Sequence, residues 1–89
     1  MVDVSIIESG GTYYSVKSSL KEVSEDRYNF SILYVYEISG SPNGHSYQKK
    51  KTVFDSAEDG KFSQQRHKQL FKDITTYIGQ KYHIKYLLV

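Results

Sequence analysis

The sequence predicts an α+β fold, in which an antiparallel sheet of four to five strands carries one helix on one of its faces. Two observations support this class. Several β-rich runs are separated by glycine-rich or polar breaks, and a single later run repeats its apolar residues with helical spacing. The predicted element order is β-β-β-β-α-β. The 89 residues suffice for one core, so residues 1–89 are expected to form a single compact domain.

Two β-rich runs near the amino terminus predict the first hairpin. Residues 3–8 (DVSIIE) and 12–20 (TYYSVKSSL) flank Ser9-Gly10-Gly11. Glycine adopts positive φ without steric cost, so a Gly-Gly pair between such runs is a hairpin signal. The polar segment 21–27 (KEVSEDR) is expected to be a connecting loop.

The longest strand is predicted for residues 27–39. Its alternating apolar residues are expected to share the core-facing side: Tyr28, Phe30, Ile32, Tyr34, Tyr36 and Ile38. The segment 39–44 (SGSPNG) predicts a break. Another strand over residues 47–55 then completes a second hairpin.

One helix is predicted for residues 63–78, with Ser63 as its amino-terminal cap and Gly79 just past its end. Phe62 and His67 are placed to form a hydrophobic staple. The helix has an apolar stripe made of Leu70, Phe71, Ile74, Tyr77 and Ile78. Residues 80–89 alternate and predict a last strand. A single helix cannot cover both sides of the sheet, so the uncovered face is where we expect function to lie.

Composition argues against catalysis. The chain has no cysteine, no glycine-rich phosphate loop and no paired metal-ligand motif, and the three histidines (His45, His67 and His83) are scattered along it. We therefore expect no enzyme, no cofactor and no metal site. The apolar runs are far shorter than the ~20 residues of a membrane span. The amino terminus lacks the features of a signal peptide. These features favour a cytoplasmic protein without membrane contact.

Charge and tyrosine content single out the candidate contact residues. Residues 1–44 contain three basic and six acidic side chains, for a net charge of −3, whereas residues 45–89 contain nine basic and four acidic ones, for a net charge of +5. The chain also has nine tyrosines. The residues predicted to contact a nucleic acid or another partner are Tyr47, Lys49, Lys50, Lys51, Arg66, Lys68, Lys72, Lys81 and Lys85.

The lysine triplet 49–51 has two interpretations. Lysine on both sides of a strand is expected at a sheet edge, where it discourages pairing with other sheets. The same lysines, beside tyrosines, suit single-stranded nucleic acid, because bases stack on aromatic rings while cations follow the backbone. The continuous stripe over residues 28–38 is assigned to the core, which leaves Tyr13 or Tyr14, Tyr47 and one face of the last strand as possible contacts.

Three functional hypotheses follow. The first is a small non-enzymatic domain that binds single-stranded DNA or RNA through a lysine and tyrosine surface. The second is a protein-interaction module, such as a virus- or mobile-element-encoded inhibitor that masks a host protein, because tyrosine and arginine are frequent interface anchors. The third, compatible with either, is a homodimer formed across an exposed edge or face. The first depends on the lysines of residues 49–51 and 81–85 forming one patch.

Overall fold

The computed structural model describes residues 1–41 and 46–89. It contains five strands and one helix in the predicted order: β1 (Val2–Ser9), β2 (Thr12–Ser24), β3 (Arg27–Ser41), β4 (Ser46–Asp55), α1 (Lys68–Tyr82) and β5 (Tyr86–Leu88). The four long strands form an antiparallel sheet in the order β1-β2-β3-β4. The helix packs on one face of this sheet, which confirms the predicted fold class.

The β2–β3 hairpin is longer than the sequence indicated. Segment 21–27, predicted to be a loop, continues β2 to Ser24 and begins β3 at Arg27, so that only Glu25 and Asp26 form the turn. Asp26 adopts a φ of 59°, which aspartate tolerates better than most residues. The polar composition misled the prediction because these strand ends lie in solvent beyond the core. The predicted break at 39–44 is also partly wrong, since β3 includes residues 39–41, while residues 42–45 lie outside the described part.

The helix is displaced by about one turn from its predicted position. Ser63 accepts a hydrogen bond from the Arg66 amide at 3.3 Å, but the residues before Lys68 form turns and not an α-helix. The Phe62 and His67 rings do meet, with centroids 5.4 Å apart. At the other end, Gly79 lies inside α1, and His83 (φ 55°) takes the left-handed position.

Gly79 serves close packing and not chain termination. A Cβ atom at this position would lie 3.3 Å from the carbonyl oxygen of Ile84, whose amide donates back to the Gly79 carbonyl at 2.8 Å. The missing side chain thus lets the chain turn back against the helix. As a result, Lys81 and Tyr82 are helical, and the predicted last strand shrinks to β5, which pairs in parallel with residues Arg27–Asn29 of β3.

The core lies between the sheet and α1. The helix contributes Leu70, Ile74 and Ile78, spaced four residues apart and buried. The sheet side is formed by one row of side chains from each long strand, with Ile84 closing one end: Ile7, Val16, Leu20, Phe30, Ile32, Val35 and Phe54. This arrangement leaves the opposite face of the sheet uncovered, as expected from a fold with a single helix.

A β-bulge at Leu33 divides the predicted core stripe between the two faces. Lys17 is paired with Tyr34 and Ser18 with Ile32, so Leu33 has no partner across the strand. Before the bulge, Phe30 and Ile32 point into the core, and after it Val35 does. Tyr34, Tyr36 and Ile38 therefore lie on the opposite face, and the prediction that all six residues share the core-facing side is wrong, although Ile38 is buried on its own side.

Among the described residues 1–41 and 46–89, no helix combines the length and apolar character needed to cross a membrane.

Candidate functional site

The uncovered side of the sheet, named here the open face, presents ordered rows of side chains. Antiparallel pairing places residues that are opposite each other on the same face. One row runs Asp55, Tyr34, Lys17 and Val4, and the next runs Thr52, Tyr36, Ser15 and Ile6. A third row runs Lys49, Ile38, Tyr13 and Glu8. The open face thus combines aromatic rings from β2 and β3 with lysines on their flanks.

Two tyrosine rings form the centre of the open face. The Tyr34 and Tyr36 ring centroids lie 4.6 Å apart with a 49° angle between their planes, and both side chains are half-buried. The Nζ atom of Lys49 lies 4.3 Å from the Tyr36 centroid and 5.6 Å from that of Tyr34. Lys17 approaches Tyr34 from the other side, at 5.9 Å. These distances fit cation–π contacts, which hold the ammonium groups next to the rings.

Carboxylates lie at the margins of the open face. The Tyr36 hydroxyl donates to Asp55 at 3.4 Å. Burial of the ring and the neighbouring Asp55 carboxylate both raise the pKa of Tyr36, so this hydroxyl stays protonated at neutral pH. At the opposite margin, Glu8 accepts a hydrogen bond from the Gly11 amide at 3.0 Å. One carboxylate, that of Asp55, therefore contacts the Tyr36 hydroxyl at the β4 edge, whereas Lys17 and Lys49 lie next to the rings themselves.

Only two of the predicted contact residues belong to the open face. Tyr47 is paired with Gly40, and Lys49 with Ile38, which places both on the side of Tyr36. Tyr47 is 45% exposed. Lys50 is a bulge residue between Lys49 and Lys51, so Lys49 and Lys51 do not share a side, contrary to the strict alternation assumed from the sequence. The strand itself is at the edge of the sheet, as predicted.

A second group of predicted residues lies on the covered side of the sheet. Lys51 is paired with Glu37 and, together with Arg66 and His67, lines a cleft of about 310 Å³ that also contains Glu58 and Asp59. Burial, and then the charges of Arg66 and Lys51, lower the pKa of His67, so this imidazole is neutral at pH 7. Lys68 and Lys72 are exposed on α1. The sheet separates all of these cations from the tyrosine pair.

Lys81 and Lys85 are far from the lysine triplet. β4 pairs with the end of β3 near Ile38, whereas β5 pairs with its start at Arg27. Lys85, next to β5, is therefore separated from the triplet along β3 by about 35 Å at the usual rise per residue, and Lys81 lies on α1 on the covered side of the sheet. Lys81 is ion-paired with Asp3 at 3.0 Å, and Lys85 approaches Asp26 at 3.8 Å. The prediction that the two lysine runs form one patch is therefore wrong.

We expect the substitution Lys85→Ala to have little effect on either stability or binding. The Lys85 side chain is 73% exposed, and exposed ion pairs contribute about 0.5 kcal/mol or less. A thermal melt of this variant should coincide with that of the wild type, and its affinity for oligonucleotides should change less than twofold. A larger loss of affinity would place the contact surface at the β5 end of the sheet.

A buried polar cluster, named here the Asp3 clasp, attaches the end of α1 to β1. The Asp3 carboxylate accepts hydrogen bonds from Ser5 Oγ, from Lys81 Nζ at 3.0 Å and from the Tyr82 hydroxyl at 2.7 Å. Burial raises the pKa of Asp3, but the three donors and the Lys81 charge outweigh burial, and the net pKa is lowered. The hydrogen bond to Asp3 likewise raises the pKa of Lys81 and that of Tyr82. Lys81 thus has a structural role.

No three of the His, Asp and Glu side chains in residues 1–41 and 46–89 are placed to hold a metal ion. His67 lies at the start of α1 and His83 just past its end. His45 lies outside the described residues.

Sequence reasoning missed Lys17 and placed Tyr34 and Tyr36 in the core. Strict alternation cannot reveal a bulge, because one extra residue reverses the direction of every later side chain. One signal in the sequence was available. Residues 32–36 (ILYVY) are apolar at consecutive positions, so the pattern does not determine which of their side chains face the core.

Comparisons of this chain with protein-family models, with curated proteins and with solved structures found no match.

Proposed function

We infer that this chain is a small non-enzymatic binding domain that holds single-stranded nucleic acid on its open face. This proposal replaces the combined lysine patch expected from the sequence, which the fold does not form, with a different surface. The observation that supports this function best is the contact pair of Tyr34 and Tyr36 beneath Lys49. Aromatic side chains on a sheet surface offer stacking platforms to unpaired bases, and neighbouring lysines neutralise the phosphates. A cytoplasmic location, which we propose with this function, would give the domain access to RNA.

The geometry favours a single strand over a duplex. The bases of a duplex are stacked on each other and present only their edges, whereas the Tyr34 and Tyr36 rings need exposed base faces. Three lysines from two strands point to the open face: Lys17, Lys21 and Lys49. Lys17 and Lys49 lie next to the tyrosine rings, and Lys21 lies four residues further along β2, so that the three would follow a backbone laid across β2 and β3.

A titration of labelled oligonucleotides tests this proposal. We expect a single-stranded 15-mer of DNA or RNA to bind more tightly than a duplex of the same length. If three lysines each neutralise one phosphate, the plot of log affinity against log salt should have a slope of about −2. Fluorescence anisotropy at several salt concentrations measures both quantities. The absence of saturable binding at low salt would exclude this function.

A protein partner is the second candidate function, and a specific observation favours it. Val2 and Val4 are 57% and 56% exposed, and they lie with Ile6 on the β1 side of the open face. Exposed aliphatic side chains in a row are typical of protein contact surfaces. On this hypothesis the domain masks a host protein, as a virus- or mobile-element-encoded inhibitor would.

The two candidates differ in their response to charge and to nuclease. A protein partner recovered from a lysate should stay bound after nuclease treatment and should be lost on Val4→Lys. Oligonucleotide binding should instead be lost on Lys49→Glu. Sedimentation of the purified chain tests self-association separately, because a homodimer would show twice the mass of the monomer.

A further inference from the structure

The two edges of the sheet differ in how they are protected. The β4 edge has three consecutive lysines and two register shifts, both of which discourage pairing with another strand. The β1 edge has neither lysine, arginine nor proline, and it pairs with β2 without a register shift. β1 therefore offers a regular strand edge that has no lysine, proline or bulge, and its charged residues are Asp3, which points to the covered side, and Glu8.

The free hydrogen-bonding groups of β1 can be assigned from its register. Met1 and Leu20 exchange both main-chain hydrogen bonds, at 2.8 and 2.9 Å. The odd-numbered residues of β1 thus point their N–H and C=O groups towards β2. By alternation, the even-numbered residues point theirs away from the sheet: Val2, Val4, Ile6 and Glu8.

A groove of about 470 Å³ runs between the β1 edge and the helix. It is bordered by residues 6–10 on the strand side and by Asp73, Thr76, Tyr77 and Gln80 on the helix side. Its charged lining residues are Glu8 and Asp73, both near the Gly10 end, and none of its described lining residues is basic. The groove thus lies beside the free main-chain groups of β1, with the Asp73 carboxylate on its helix side and the Glu8 side chain on the open-face side of the strand.

We propose that the β1 edge and this groove bind an extended peptide of a partner protein as an additional antiparallel strand. Strand addition to a free edge gains its affinity from main-chain hydrogen bonds and its specificity from alternate side chains. Peptide residues opposite Val4 and Ile6 would be apolar, because they extend the same apolar row. A residue opposite Glu8 would be lysine or arginine, because its side chain would lie next to the Glu8 carboxylate on the open face.

A single strand fits this edge better than a second copy of the chain does. The helix lies directly over β1, since Ser9 donates to Asp73 at 2.6 Å and Lys81 to Asp3 at 3.0 Å. An antiparallel β1–β1 pair related by a two-fold axis would place the two strands about 4.8 Å apart with both helices on the same side. Packed helices need about 8–10 Å between their axes, so the two copies would collide.

A labelled synthetic peptide tests the proposal on the full chain. The probe is acetyl-Arg-Thr-Val-Thr-Val-Thr-Val-amide, whose arginine is placed opposite Glu8 and whose valines are opposite Ile6, Val4 and Val2. We expect saturable binding by fluorescence anisotropy. N-methylation of the first two valines removes main-chain donors that face β1 and should weaken binding at least tenfold. N-methylation of the threonine between those valines, whose N–H faces away from β1, should change binding less than twofold.

Variants of the chain provide the matching controls. Val4→Pro removes one outward N–H and should weaken probe binding at least tenfold, whereas Val4→Ala retains that N–H and should bind within threefold of the wild type. If Val4→Pro does not fold, amide exchange of the wild type replaces it, with exchange at Val4 and Ile6 slowed at least tenfold by the probe. Tyr36→Leu should leave probe binding unchanged, which separates this site from the tyrosine pair at the centre of the open face. No saturable binding, or equal effects of both N-methylated probes, would overturn the proposal.

Discussion

The double substitution Tyr34→Leu/Tyr36→Leu is expected to weaken the binding of a single-stranded oligonucleotide about a hundredfold. Leucine keeps an apolar side chain on the open face but has no ring on which a base can stack. Stacking on one aromatic side chain contributes about 1–3 kcal/mol, and 1.4 kcal/mol corresponds to tenfold in affinity. Each single variant should therefore lose about tenfold. Anisotropy titrations of the three variants at constant salt measure these losses.

The matched control for this prediction is Tyr77→Leu. Tyr77 is exposed to nearly the same extent as Tyr13, a tyrosine of the open face (37% against 38%). Tyr77 belongs to α1, however, which lies on the other side of the sheet. The control should bind the oligonucleotide as the wild type does. Thermal melts of all variants must show that they remain folded. A double variant that is folded and binds within twofold of the wild type would contradict the assignment of the tyrosine pair as the contact site.

The order of the elements could be predicted from sequence because local signals mark each of them. The Gly10-Gly11 turn adopts positive φ at both glycines, 59° and 82°, as the hairpin requires. The helical stripe of Leu70, Ile74 and Ile78 is buried as its spacing indicated. Such signals depend only on residues close in the chain, so they do not require knowledge of the tertiary structure.

The helix ends escaped prediction because they depend on tertiary contacts. Glycine is common just past the end of a helix, yet α1 continues through Gly79 to Tyr82. The Tyr82 hydroxyl and Lys81 Nζ both reach Asp3, which lies 78 or more residues earlier in the chain. No local pattern in residues 79–82 could indicate that these side chains would be held by a distant carboxylate.

The candidate site was only partly predictable for a related reason. Tyr47 and Lys49 were correctly placed on one side of an edge strand, because alternation holds between them. The bulge residues Leu33 and Lys50 reverse the alternation further along, which moved Tyr34 and Tyr36 to the open face and Lys51 away from it. Bulges are set by the pairing of two strands, and a single strand's sequence does not encode where they occur.

The substitution Asp3→Ala is expected to lower the free energy of unfolding by about 3 kcal/mol, or roughly 15 °C in melting temperature. The variant leaves Ser5, Lys81 and Tyr82 without the carboxylate that they share in the Asp3 clasp. Denaturant unfolding followed by circular dichroism measures the loss.

The pH dependence of the same clasp is the sharper test. Since the pKa of Asp3 is lowered in the folded chain, its stabilisation is complete above the unfolded value of about 3.9 and is lost as pH falls towards the folded value. The raised pKa of Lys81 means that its contribution is lost only as pH rises past about 10.4. Asp3→Asn should therefore remove part of the acid-induced loss of stability. The control Asp26→Asn changes the exposed pair with Lys85. This variant should show the same acid-induced loss of stability as the wild type, because that contact lies in solvent. If Asp3→Asn and the wild type lose stability equally between pH 5 and pH 2, the clasp does not attach the helix in the way described.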